Sequence, residues 1–357
     1  MRNKRACVKT LLLFLGLIPC FLFFILSAVN AQPYSVDQVR SDFKKLLQRP
    51  LVAPQPTIQR FPTDSVLIEK GFFYSEPTER VPIVIYKPLG SDSKKLPVVI
   101  CLHGTGGSKD GDEIRKLLYR FSQLGFMAIS IDGRYHGERV IAKQKTYVEA
   151  ITEAWQSKDP ISQKYPFYFD TVYDLWRLID YISTRPDVDS NRIGMMGISK
   201  GGIETWMAAS VDTRIKVAVP VIATQSFKWS LKNDKWQGRA RTIWGAHVQA
   251  AKELGDTGVN RKNVKAFWDK LLPGITDEFD CPSMIRLFAP RPLLLLNTEN
   301  DPNNPLPGAK LAFDAATNIY SNQNVLDKLK IDVEPNEPHR FTNKHMEMAI
   351  QWFKTWL

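Results

Sequence analysis

The chain has 357 residues, 44% of them hydrophobic and 24% charged, which allows a large buried core and excludes wholesale disorder. Its formal charge is +11, and removing the four basic residues Arg2, Lys4, Arg5 and Lys9 takes it to +7. The remaining charges are dispersed, so nucleic-acid binding is excluded as the organising function.

The first segment reads as an address. "MRNKRACVK" is basic without an acid, Leu11 to Val29 is apolar apart from Ser27, and small residues at "VNA" precede Gln32. This is the grammar of an export signal, and the apolar run is also long enough to serve as an uncleaved anchor. Residues 1–31 are therefore expected to be a signal peptide or membrane anchor, with the rest of the chain outside the cytoplasm. Contact with a membrane is expected only if the segment stays uncleaved. Cys7 and Cys20 lie in it. The remaining pair, Cys101 and Cys281, cannot form a disulfide scaffold, although one bridge is left open. No Cys/His spacing resembles a metal site.

Residues 32–65 are expected to hold a short helix, with apolar positions at Val36, Val39, Phe43, Leu46 and Leu47, and then a linker broken by Pro50, Pro54, Pro56 and Pro62. From residue 66 the chain alternates. "SVLIEKGFFYS" and "RVPIVIYKP" read as strands joined by a turn, and "LPVVICLH" as a strand covered on both faces. A helix over 114–124, the strand "FMAISID" and a helix over 169–184 follow. Then come the strand "RIGMMG", a helix over 201–210, and the strands "IKVAVPVI", "RPLLLLN" and "LKIDVEP", with helices over 308–320 and at the C-terminus. The alternation predicts an α/β fold, a doubly wound and mostly parallel sheet spanning 66–357. One segment, about 223–286, shows no strand and carries Trp229, Trp236, Trp244 and Trp268. It reads as a helical cap insertion over the C-terminal edge of the sheet, where open α/β sheets bind ligands.

The chemistry centres on "GISKG", Gly197 to Gly201. A serine between glycines, after a strand and before a helix, is the context of a nucleophile elbow. Serine needs a base, and the base needs an orienting acid; in this fold they follow in the order serine, acid, histidine. Asp301, in the loop after "RPLLLLN", is favoured over Glu299. His339, in the loop after the last strand, is favoured over His345 in the terminal helix. The backbone N–H groups of Lys200 and of Thr105, within "HGTGG", are the expected oxyanion donors, while His103 braces its turn. Arg134 and His136 in "IDGRYHGERV" are possible substrate contacts, with a structural role preferred for Arg134. Trp229 and Trp236 are possible lining residues.

The motifs "HGTGG", "DGRYHGER", "RIGMMGISKGG", "NTENDP" and "PHRFT" occur in the order seen in the α/β-hydrolase superfamily. The chain resembles its dienelactone hydrolase and prolyl-oligopeptidase-like branch, including the acetyl xylan esterase relatives. That resemblance implies a serine hydrolase needing no metal or cofactor. Lys200 stands where those esterases carry glutamine, Tyr135-His136 where they carry Gly-Gln, and Pro338-His339-Arg340 where they carry His-Glu. These departures count against transferring a deacetylase specificity, and the Lys200 side chain is expected to mark a different substrate. The leading expectation is an exported carboxylic-ester hydrolase acting on a small-molecule ester. An aminopeptidase or acyl-peptide hydrolase with the same triad is the alternative, and a non-catalytic binding protein is a third reading. The oligomeric state is not legible.

Overall fold

Nine strands run through residues 34–357, the part of the chain that the computed structural model describes. They are β1 (Thr57–Pro62), β2 (Val66–Glu76), β3 (Glu79–Pro88), β4 (Leu96–Leu102), β5 (Met127–Ile131), β6 (Val188–Ile198), β7 (Ile215–Val221), β8 (Leu293–Thr298) and β9 (Leu329–Glu334). They form one sheet in the order β1-β2-β3-β5-β4-β6-β7-β8-β9. The pairs from β5 to β9 are parallel, and β1, β2 and β3 form an antiparallel flank that joins through β3. The expected α/β doubly wound sheet is therefore present. The export segment and both of its cysteines lie outside the described residues. Among the described residues no helix is long and apolar enough to cross a membrane.

The strands bury both faces because their side chains alternate between two cores. Val98 and Ile100 of β4 point into one core, and Val99 and Cys101 into the other. The first core lies under the helices Phe169–Ser183 and Lys200–Val211. The second lies under Asp112–Gln123 and Asn343–Trp356. Each buried Val, Leu or Ile contributes about 1.5–3 kcal/mol. Cys101 and Cys281 are both buried as free thiols, so no bridge joins them. Burial pushes the Cys101 thiol upward, as suits a small hydrophobe rather than a nucleophile.

Ahead of residue 66, one segment differs from expectation and the short helix before it is found as expected. The proline-broken linker carries β1, an exposed edge strand antiparallel to β2. Proline is tolerated there because an edge strand leaves half its backbone groups unpaired. The N-terminal helix, Val36–Leu46, buries Val39 and Phe43. Phe43 sits edge-on to Phe169, Trp176 and Phe279 at 5.0–6.1 Å.

The insertion has the expected helical character, with helices Phe227–Lys232, Gln237–Arg241, Trp244–Glu253, Arg261–Leu271 and Cys281–Ile285. Asp280 ties its two ends together, accepting from Ser226 Oγ and from the backbone N–H groups of Phe227 and Cys281. A second piece joins this layer. After "DGRYHGER" the chain forms helices Glu138–Lys143 and Tyr147–Gln156. Trp155 stacks on Phe267 at 5.5 Å and donates its indole N–H to Glu253 at 2.9 Å.

Candidate active site

Strands β4 and β6 are neighbours from which the chain winds in opposite directions, to β5 on one side and to β7 on the other. Their C-terminal ends flank the switch point where such sheets bind ligands. β6 ends at Ile198, and the helix Lys200–Val211 starts two residues later. Ser199 alone makes the turn, with φ +54° and ψ −111°. That φ is uncommon for a non-glycine residue and is a feature of functional turns.

The flanking glycines have a steric cause. A Cβ on Gly197 would lie 2.2 Å from the Gly201 carbonyl oxygen. One on Gly201 would lie 2.6 Å and 2.7 Å from the carbonyl oxygens of Leu102 and His103. All these neighbours are backbone, so Gly201→Ala must displace either the elbow or the loop after β4. The expected result is a kcat lower by roughly 10²-fold on p-nitrophenyl acetate, since displacements near 1 Å have that cost. Unchanged kcat and melting temperature would contradict the tight elbow.

Three strand ends bring the predicted residues together. His339 Nε2 lies 2.8 Å from Ser199 Oγ. His339 Nδ1 lies 2.7 Å from Asp301 Oδ2. Asp301 Oδ1 accepts from the backbone N–H groups of Asn303 at 2.7 Å and Asn304 at 3.0 Å. Its Oδ2 also accepts from Asn304 Nδ2 at 2.8 Å. Burial alone would raise the Asp301 pKa, but the bonds from His339, Asn304 and the Asn303 N–H outweigh it and hold the carboxyl below its usual range. Ser199 is recessed, 8% exposed. The two competitors lie elsewhere. His345 is buried against Asp332 at 3.1 Å, and Glu299 accepts from the Asn336 backbone N–H at 2.8 Å.

Gly104 of "HGTGG" abuts the elbow: a Cβ on it would lie 3.6 Å from Ser199 Cβ. Thr105 follows it and is exposed. His103 braces this loop. Its Nδ1 donates to the Gly104 carbonyl at 2.8 Å, and its Nε2 accepts from the Gly133 N–H at 3.0 Å. Burial, aided by the nearby Lys200 charge, pushes the His103 pKa down to about 3, so the ring is neutral and this tautomer is kept.

The side chains named as possible substrate contacts have partners within the protein. Arg134 is 4% exposed. Its guanidinium pairs with Asp174 through Nε at 2.7 Å and with Glu79 through Nη1 at 3.0 Å, and Nη2 also reaches Glu76. It holds the loop after β5, as the preferred structural reading has it. His136 is buried, donating from Nδ1 to the Arg134 carbonyl at 2.8 Å, with its ring 5.1 Å from His103 and 4.4 Å from Tyr147. Burial followed by the Lys200 charge pushes its pKa down to about 2. Trp236 is buried in the core. Trp229 packs on Gly308, where an added Cβ would meet its ring at 3.1 Å. Lys200 corrects the expectation for its side chain. It is wholly buried and pairs with Glu204 one helical turn on, so the side chain is not offered to a substrate.

The cap also supplies residues that the motifs did not reveal. Gly238 lies against the acid loop, and a Cβ there would sit 2.0 Å from the Pro302 carbonyl oxygen. Its neighbour Arg239 donates to Asn304 Oδ1 at 2.6 Å. The "KNDKWQGR" stretch held the signal, but its partners are about 65 residues away.

Among the described residues, Glu69, Asp92 and Asp187 bring carboxylate oxygens within 4.8 Å of one another at the opposite edge of the sheet. Lys87 lies among them at 2.7–3.2 Å, and Arg185 reaches Glu69 and Asp187 at 2.8 Å. These carboxylates are already matched by protein cations.

The family model for acetyl xylan esterase (AXE1) matches residues 56–227. The chain superposes on an acetyl xylan esterase from Paenibacillus sp. R4 with a TM-score of 0.65 at 19% identity, covering 92% of this chain and 96% of that one. The chain has the α/β-hydrolase fold of these enzymes. It is also similar to the protein YtaP of Bacillus subtilis (strain 168), a hydrolase by its description, at 22% identity over 290 residues, 78% of this chain and 84% of that one. A methylesterase matches with a TM-score of 0.64 at 17% identity; the match covers 90% of this hydrolase and 63% of that longer chain. The acetyl xylan esterase match and the esterase neighbours support an ester-cleaving serine hydrolase.

Proposed function

We propose that this hydrolase cleaves carboxylic esters through a Ser199-His339-Asp301 triad and an acyl-enzyme. One observation carries the reading. The continuous chain from Ser199 Oγ through both His339 nitrogens to Asp301 has contacts of 2.8 Å and 2.7 Å and starts from a serine held at positive φ. Asp301 accepts a hydrogen bond from Nδ1–H and so leaves Nε2 free as a base. Ser199 Oγ attacks the ester carbonyl carbon while its proton passes to His339 Nε2. The backbone N–H groups of Lys200 and Thr105 receive the negative charge that develops on the carbonyl oxygen. The tetrahedral intermediate collapses, and His339 gives the proton to the departing alkoxide oxygen. Water then attacks the acyl carbon, its proton taken by His339 and returned to Ser199 Oγ. Every step uses protein groups and water.

A fluorophosphonate probe is expected to label the wild type and to spare Ser199→Ala. Equal labelling of both would remove Ser199 from the mechanism. Hydrolysis of p-nitrophenyl acetate should vanish with the label. Export belongs to the same proposal and rests on the pattern of residues 1–31. Its check is the mass of the processed protein, expected to begin at Gln32 if the segment is cleaved.

A further inference from the structure

We infer that Arg239, supplied by the cap insertion, is a positioning residue for the acid Asp301 and acts through the side chain of Asn304. The inference rests on the triad reading.

Arg239 is 1% exposed, on the helix Gln237–Arg241. Its guanidinium donates to Asn304 Oδ1 at 2.6 Å and to the Asn303 carbonyl at 3.3 Å. Gln225 completes the cradle once its amide is oriented to suit these neighbours, with Oε1 then accepting from Arg239 Nε at 3.2 Å and Nε2 donating to the same Asn303 carbonyl at 3.1 Å. Asn304 in turn donates from Nδ2 to Asp301 Oδ2 at 2.8 Å and to the Ile222 carbonyl at 2.6 Å.

The chemistry of the donors gives this arrangement one direction. A guanidinium has donors only, so the Asn304 atom facing it must be the carbonyl oxygen. That places the amide NH₂ on Asp301 Oδ2, the oxygen that also accepts from His339 Nδ1. The Ile222 carbonyl and the Asp301 carboxylate both accept from this NH₂ and agree with the same sense. Arg239 adds the charged donor that anchors the far end of the amide, and without it the Asn304 side chain, and with it Asp301 Oδ2, loses its fixed place beside His339. Arg239 therefore fixes the orientation of a group two bonds removed from the base. Gly238 serves the same end: it lets the cap helix meet the acid loop backbone to backbone, at a distance no side chain permits.

The test is a double-mutant cycle on p-nitrophenyl acetate, with kcat expressed per site labelled by fluorophosphonate and folding checked by melting temperature. Arg239→Met, which keeps the length of the stem, is expected to lower kcat on the order of 10²-fold with KM unchanged. Asn304→Ala should lower it by a similar factor. The double variant should be no worse than either single, because the two act on one path. Losses that multiply, or wild-type kcat per labelled site in Arg239→Met, would overturn the inference. If Arg239→Met fails to fold, Asn304→Ala alone decides, since full activity there breaks the link to Asp301. Asp301→Asn is run alongside. Retained activity in that variant would bring down the triad reading itself, whereas the other failures leave the triad standing and remove only Arg239.

Discussion

Asp301→Asn is expected to lower kcat by about 10⁴-fold, the cost typical of an amide in place of a triad carboxylate. The surroundings of Asp301 make the substitution especially unfavourable. Oδ1 accepts from the backbone N–H groups of Asn303 and Asn304, so an asparagine must place its carbonyl oxygen there. Its NH₂ then occupies the Oδ2 position, facing His339 Nδ1 and the NH₂ of Asn304. An amide NH₂ is a donor, so His339 Nδ1 must become the acceptor and its proton must move to Nε2. An imidazole protonated at Nε2 cannot take the Ser199 proton. The substitution therefore leaves the nucleophile in place and removes its base. The measurement is kcat on p-nitrophenyl acetate at neutral pH, with Ser199→Ala as the floor. A kcat within threefold of wild type would mean that Asp301 does not orient His339.

The acid, base and nucleophile were legible because each lies in the turn or loop that follows a strand, and strand ends gather at one edge of a parallel sheet. The order of three local motifs was enough to place Ser199, Asp301 and His339 together. The glycines at 197 and 201 were legible for the same reason, since a sharp strand-to-helix turn needs them. What escaped was either weakly patterned or nonlocal. β1 was hidden by its prolines, which an exposed edge strand tolerates. The helix Tyr147–Gln156 lies in a stretch dominated by the preceding loop motif, and its apolar face meets the insertion rather than the sheet. Arg134 and His136 sit at a strand end as a substrate contact would, yet the partners of Arg134 come from β2, β3 and the helix Phe169–Ser183, and the His136 ring packs on His103 and Tyr147. Sequence neighbours cannot report such partners. The Arg239–Asn304 bond joins positions 65 apart, with no local pattern to announce it.

Lys200 is the position where a residue change read from sequence suggested one thing and the fold explains another. Its side chain and that of Glu204 form a fully enclosed pair, 0% and 2% exposed. The ammonium lies 5.7 Å from the centre of the Tyr147 ring and against Gly133, beneath the loops that carry His103 and His136. Lys200→Met removes the cation and leaves the carboxyl of Glu204 buried without its partner. Breaking such a pair costs about 3–5 kcal/mol. The loss should depend on pH in a defined direction. Burial raises the Glu204 pKa above its usual value even with Lys200 beside it to oppose the shift, and without Lys200 the rise is larger. A carboxyl with a raised folded pKa is most compatible with folding below its unfolded value near 4.3. That contribution is lost as pH rises through the folded pKa. The stability gap between wild type and Lys200→Met should therefore be small near pH 4 and widen toward neutrality, by at most about 1.4 kcal/mol per pH unit. The second substitution supplies the control. Lys200→Met with Glu204→Leu replaces the pair by apolar side chains of similar size, which is often neutral or stabilising, so denaturant unfolding should show most of the loss recovered and the pH dependence gone. A single variant as stable as wild type at neutral pH, or a double variant no better than the single, would show that the two side chains are not a coupled buried pair. Because the Lys200 backbone N–H is unchanged in both variants, the kcat per labelled site should follow the integrity of the elbow and not the charge of the side chain.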